Sequence, residues 1–176
     1  TMTEDLLATV AREAVGSEEV PFDGQTLSFR PPYPRIALRQ AVCEAATRKL
    51  GQEISEQDLR VRSTVAQLAA KLGLEPSNEH GPGKITVEIF EQLCEGAFVQ
   101  PTFVHDFPTE VSPLSKQRDN DPDTVERFEL FVAGMELANA FSELNDPVEQ
   151  RLRFQAQLGH RRDGDLEAHQ MDEDYI

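Results

Sequence analysis

In the stretch FELFVAGMELANAFSELND, from Phe128 to Asp146, two apolar-rich runs meet at Ala133-Gly134. Glu129, Glu136 and Glu143 recur within it at seven-residue steps. On a helix that step would stack the three carboxylates on one solvated face. A helix here would also carry Gly134 and the β-branched Val132, both poor helix formers. Its apolar residues at 128, 130, 131, 132, 135, 137 and 141 would cover most of the circumference. A β-hairpin turning at Ala133-Gly134 accounts for more of the pattern. A tight turn pairs Phe131 with Glu136 and Glu129 with Ala138.

On the second strand Asn139, Phe141 and Glu143 then project to one side by period two. A carboxylate, an amide and an aromatic ring together suit a small amine: charge for the ammonium, the amide for a polar end, the ring for an aliphatic stem. Glu129 and Glu136 form a second acidic pair, which repels itself unless a cation joins it. A hard oxygen-ligand ion such as Mg²⁺ is the natural candidate. The alternative is solvated charge on an ordinary sheet surface. Strict alternation sends Glu136 and Asn139 to opposite faces. A single shared site therefore requires a bulge near Leu137 and Ala138.

The totals limit what such a site can serve. With 176 residues the chain suffices for one domain with a core, or for a domain carrying a small insertion. Apolar residues make up 39% and mean hydropathy is -0.47, without a run long enough to span a membrane. The N-terminal stretch TMTEDLLATVAREAVG has acidic residues where a signal peptide needs basic ones. It reads instead as an amphipathic helix with Leu6, Leu7, Val10 and Ala14 on one side. Seventeen basic against 32 acidic residues give a net charge of -15, which repels polyanions. Cys43 and Cys94 lie far apart and read as reduced, in keeping with a cytoplasmic protein.

Three segments follow from the texture. Residues 1–35 hold the first helix and a hairpin turning at Asp23-Gly24, with QTLSF as the returning strand. Prolines 31, 32 and 34 bar a helix until about Ile36. Residues 36–99 read as a helical insertion. One helix stops at Gly51, a second runs from a Ser55 cap (with Asp58 three residues on) to Gly73, and a third follows Gly83. Residues 100–176 return to β texture with the strand PTFVHDFP. A loop QRDNDPD, the hairpin, and a helix from Pro147 capped by Asn145 or Asp146 and stopping near Gly164 complete this segment. The fold class is α+β.

Other constellations carry less chemistry. GPGK, Gly81 to Lys84, lacks the full phosphate-loop pattern and reads as a turn before a helix. The histidines at 80, 105, 160 and 169 show no metal-ligand spacing. His105 and Asp106 on one strand would face opposite ways. Ser112 and Ser115 lack an identifiable base.

The run FELFVAGMELANAFSELNDPVEQRLRF, preceded by PTFVHDFPTEVSPLSK, closely resembles the catalytic domain of class II lysyl-tRNA synthetases. The wording SELNDP, the upstream EVSPL, the downstream DEDYI and a helical insertion before QPTF all fit that family. The resemblance covers essentially the whole chain. It implies part of an antiparallel catalytic sheet that activates lysine with ATP and transfers it to tRNA, in a homodimeric parent protein. On that analogy Glu129 and Glu136 bind Mg²⁺ bridging the ATP phosphates. Glu143 reads the lysine ε-ammonium, and Asn139 and Phe141 line the amino-acid pocket. Met135, Ala138 and Ala140 stand where some members carry a basic residue and glycines.

The family's first two motifs would precede Thr1 and its third would follow Ile176. The isolated chain is accordingly expected to be inactive, with tRNA contacts made chiefly elsewhere. A synthetase-like protein-lysine ligase is a rival, against which the long helical insertion argues. A non-catalytic regulatory module built on the same sheet is another.

Overall fold

The computed structural model describes residues 1–162, with side chains given to 156. The expected helix stop at Gly164, the tail LEAHQMDEDYI and the DEDYI match lie outside the described residues. Among the described residues no helix is long and apolar enough to cross a membrane.

The chain opens with α1 (Met2–Val15), closed by Gly16 at φ 79°. A hairpin follows, β1 (Glu19–Phe22) and β2 (Gln25–Ser28), turning as expected at Asp23-Gly24. Of the leucine side the sequence suggests, only Leu7 is partly buried, packed against the second core; the face that α1 buries is centred elsewhere. Leu6 and Val10 are exposed, while Glu4, Ala8 and Ala11 are buried. The Glu4 carboxylate decides this orientation. It accepts from the Tyr33 backbone N–H at 2.9 Å and pairs with Arg35 at 2.9 Å, so the helix turns that side inward. The two alanines beside it permit the close approach.

Helix does not begin at Ile36. Residues Arg35–Ala37 form β3, parallel to β4 (Thr102–His105), with Ile36 opposite Val104. The first long helix, α2 (Leu38–Leu50), then ends at Gly51 with φ 67°, as its sequence requires. The expected second helix is two. Helix α3 (Glu56–Arg60) starts on the Ser55–Asp58 capping box. Helix α4 (Arg62–Leu72) follows a break at Val61, whose backbone is extended at φ -109° and ψ 122°. The Thr64 hydroxyl donates to the Asp58 and Val61 carbonyls freed there. Helix α5 (Pro82–Leu93) completes the group.

After β4 the segment expected as a loop is itself a small hairpin, β5 (Gln117–Arg118) and β6 (Asp121–Val125). Arg60 grips both Asp121 carboxylate oxygens, at 2.9 and 2.6 Å, and fixes that hairpin to α3. Then come β7 (Arg127–Val132), β8 (Met135–Phe141) and α6 (Pro147–Arg162). Asp146 caps α6, its Oδ1 accepting from the Val148 and Glu149 N–H groups.

The main sheet has the order β3-β4-β7-β8, antiparallel except for the first pair. One large core joins the helices of the 36–99 segment to one face of it, with Val42, Leu68, Ile89 and Phe90 meeting Val104 and Phe131. A smaller core on the other face gathers Leu27, Tyr33, Phe103, Leu130 and Val132. The α+β architecture with a mostly antiparallel sheet is thus as expected from the sequence.

Glu4 gives this fold a testable acid dependence. Burial raises its pKa, but hydrogen bonds from the Tyr33 N–H and Arg35 work against burial and help hold it well below its ordinary 4.5. A depressed carboxylate contributes stability that is full above pH 4.5 and is lost as pH falls through its lowered pKa. Glu4→Gln should therefore cost on the order of 2 kcal/mol in urea unfolding at pH 7. The difference from wild type should close as pH falls below 4.5.

Candidate functional site

The turn joining β7 to β8 has positive φ at both central residues, 53° at Ala133 and 74° at Gly134. This is the tight hairpin geometry whose twist matches its flanking strands. The turn is tied to the end of the helical segment, because the Ala133 and Gly134 N–H groups donate to Val99 and Phe98 carbonyls at 2.9 Å each. A Cβ on Gly134 would press within 3.3 Å of the Gly96 backbone.

From this fixed turn the ladder pairs Val132 with Met135 and Phe131 with Glu136, then shifts. Leu130 pairs with Ala138 and Glu129 with Asn139, so Leu137 is the extra residue of a bulge. The bulge required for a shared site is present, and the pairing of Glu129 with Ala138 is corrected to Glu129 with Asn139. Packing explains the shift. Small Ala138 lies against the second core beside Leu130, while Leu137 stands 53% exposed. Glu129 gains a polar neighbour in place of a methyl group.

Because of the bulge, Arg127, Glu129, Phe131, Glu136 and Asn139 share one face. Glu129 and Glu136 line a cavity of about 270 Å³ between β7–β8 and α5, floored by Phe131. Phe131 is fixed by Phe90 and Phe98, at centroid distances of 5.6 and 5.7 Å. Glu91 and Glu95 add two carboxylates to the lining, and Lys84 and Arg127 add two cations. Glu129 is buried and ion-paired with Arg127 at 2.5 Å. Its pKa is nonetheless pushed up to about 7: desolvation and the negative charges of Glu136 and Glu95 outweigh the single arginine. The face carries more negative charge than its own residues neutralise. Among the described residues no three His, Cys, Asp or Glu side chains form a metal cage. Two carboxylates do fit an ion that takes its remaining ligands from water and phosphate oxygens.

The other expected residues lie apart from this cavity. Asn139 is exposed and reaches it through Arg127, whose Nε donates to Asn139 Oδ1 at 3.3 Å. Phe141, 39% exposed, borders a separate hollow of about 420 Å³ with His105, Phe128 and Ala140. Glu143 is exposed beyond the end of β8, bridged antiparallel to Ser115, and lines neither hollow. That continuation is held by Lys116 N–H donating to the Ser142 carbonyl at 2.7 Å and Leu144 N–H to the Leu114 carbonyl at 2.9 Å. Arg153 of α6 in turn donates to the Ser115 carbonyl at 2.7 Å.

Sequence reasoning passed over Arg127, the residue at the centre of the arrangement. Its position two residues before Glu129 was the available signal, since period two puts both on one face. The GPGK turn is explained by an internal carboxylate: the Gly81 and Gly83 N–H groups each donate to Glu110 at 2.8 Å. His105 and Asp106 do meet, at 3.0 Å, because Asp106 leaves the strand with φ 64°. Asp106 is also engaged by Arg118. Ser112 accepts from Arg127, a structural use of its hydroxyl.

Comparison with known proteins gives the chain its family. The family described as tRNA synthetases class II (D, K and N) matches residues 1–176. A lysine–tRNA ligase of Moorella thermoacetica is 44% identical over 175 residues, covering 99% of this chain and 35% of the relative. Lysine–tRNA ligases of Syntrophomonas wolfei and Staphylococcus aureus are 44% and 41% identical, each with 34% of its length covered. The chain spans about a third of the length of the curated relatives it matches.

A buried carboxyl with a raised pKa is stabilised in its protonated form. Its contribution is full below pH 4.5 and is lost as pH rises to about 7. In chelator, urea unfolding of wild type relative to Glu129→Gln should therefore weaken from pH 5 to pH 8, by on the order of 1–2 kcal/mol. A pH-independent difference would show that Glu129 is not held protonated by its surroundings.

Proposed function

The chain belongs to the class II tRNA synthetases of the D, K and N group, and on that premise we propose that it forms part of the catalytic sheet of a lysine–tRNA ligase. The protein carrying it would activate lysine with ATP and pass it to tRNA, as a cytoplasmic homodimer. The observation that carries this reading is the hairpin face on which the Leu137 bulge aligns Glu129, Glu136 and Asn139. The kinship with lysine–tRNA ligases supports lysine as the amino acid.

In this reading Glu129 and Glu136 would hold Mg²⁺. The ion, when bound, supplies charge neutralisation for the ATP phosphates. The residues of the chain do the rest by positioning. Arg127 keeps one Glu129 oxygen fixed, so the carboxylate presents the other. Asn139 holds a polar end of the amino acid, and the exposed ring of Phe141 covers its aliphatic stem. Glu143 accepts the ε-ammonium. An amino acid of similar length without that charge offers Glu143 no ammonium to accept from, which is how a neutral competitor binds less well.

Lysine-dependent ATP–pyrophosphate exchange by the full-length protein tests the assignment. Glu143→Gln should raise the KM for lysine by roughly 10- to 100-fold while leaving the KM for ATP near wild type. Glu129→Gln should instead raise the Mg²⁺ concentration needed for half activity. An unchanged lysine KM in Glu143→Gln would remove Glu143 from the pocket.

A further inference from the structure

Arg127 divides its donors among four partners. Nη1 donates to Ser112 Oγ at 2.9 Å and to the Val111 carbonyl at 3.3 Å. Nη2 donates to Glu129 Oε1 at 2.5 Å, and Nε to Asn139 Oδ1 at 3.3 Å. The guanidinium carbon lies 4.6 Å from the centroid of the Phe107 ring, which limits its tilt. One rigid plane therefore ties the 111–112 turn to a carboxylate on β7 and an amide on β8.

The backbone ladder already sets Glu129 opposite Asn139, so Arg127 is not needed to pair the strands. What it adds is the rotation of two side chains. A guanidinium has donors and no acceptor. The Asn139 amide must turn its oxygen to Arg127, which leaves its NH₂ group to donate elsewhere. Glu129 likewise has Oε1 engaged and Oε2 left for a cation.

Building on the lysine-ligase reading, we propose that Arg127 is a positioning residue that turns the Asn139 amide so that its NH₂ group is the one offered to the bound amino acid, while holding Glu129 for the metal. The two halves of the site are coupled through this one side chain. Lysine cannot substitute for it, because a single ammonium on a flexible stem does not span Glu129, Ser112 and Asn139 in one plane.

The test is a double-variant cycle in the full-length protein. Arg127→Lys should raise the KM for lysine roughly 10-fold, the worth of one well-placed hydrogen bond. Because Arg127 also holds Glu129, the same variant should need more Mg²⁺ for half activity, while the KM for ATP at saturating Mg²⁺ stays near wild type. In an Asn139→Ala background the same change should have no further effect on lysine KM. An unchanged KM in Arg127→Lys, or effects that simply add in the double variant, would overturn the proposal.

Should Arg127→Lys fold poorly, Arg127→Gln enters the same cycle, and there too additive effects would refute the coupling. Wild-type exchange that does not depend on lysine would sink the lysine-ligase reading itself. Arg127 is then judged by nuclear magnetic resonance of the Asn139 side-chain NH₂. That signal should move on Arg127→Lys while backbone amide signals of β7 and β8 keep their positions, and an unmoved signal would contradict the positioning role.

Discussion

Everything at this site depends on one residue that does not pair. Leu137 is the extra residue of β8, and its exclusion from the ladder changes which side of the sheet the rest of the strand presents. Without the bulge, Glu136 would share a face with Ala138 and Phe141 would turn away from Asn139's present side. With it, Asn139 stands opposite Glu129 and the polar residues of both strands accumulate on the cavity face. The tight turn at Ala133-Gly134 makes this possible by fixing the first two pairs. The Phe98 and Val99 carbonyls hold that turn from the helical segment. The helices of 36–99 therefore bear directly on the site, through the turn and through the Phe90–Phe131 contact.

Electrostatics gives the face its chemical direction. Four carboxylates and two cationic side chains line the cavity, and Glu129 is among its buried groups. A single arginine pair does not restore an ordinary carboxylate pKa there, so the site favours an added positive charge. The chain as a whole is strongly acidic at -15, and Arg127 brings positive charge to the centre of this face. It neutralises without filling the site, since it spends its donors on three other partners as well.

What could be read in the sequence was what local chemistry decides. Gly51 and Gly73 end helices because each needs a left-handed backbone, and Ser55 with Asp58 starts one by reciprocal hydrogen bonds. The hairpin was legible for the same reason, from a turn bounded by β-forming residues. Its register was not. Whether Leu137 or Ala138 faces the second core depends on Leu130 and on packing from residues far away in sequence. The face of α1 was misread because a buried carboxylate, Glu4, outweighed the apolar pattern once Tyr33 and Arg35 supplied its partners. The 117–123 segment looked like a loop because its stabilising partner, Arg60, lies about sixty residues earlier. Arg127 escaped notice because its partners at 107, 111, 112 and 139 converge only in the folded chain. The residue set Glu129, Glu136, Asn139, Phe141 and Glu143 was visible as a pattern, but its division between a cavity and an exposed edge was not.

The central claim is the register that the bulge imposes, and backbone-proton contacts across β7 and β8 measure it directly. Nuclear Overhauser contacts should link Phe131 with Glu136 and Glu129 with Asn139, while Leu137 shows no directly opposite partner. Contacts linking Glu129 with Ala138 and Leu130 with Leu137 would mean an unbroken ladder, with Glu136 and Asn139 on opposite faces and no shared site.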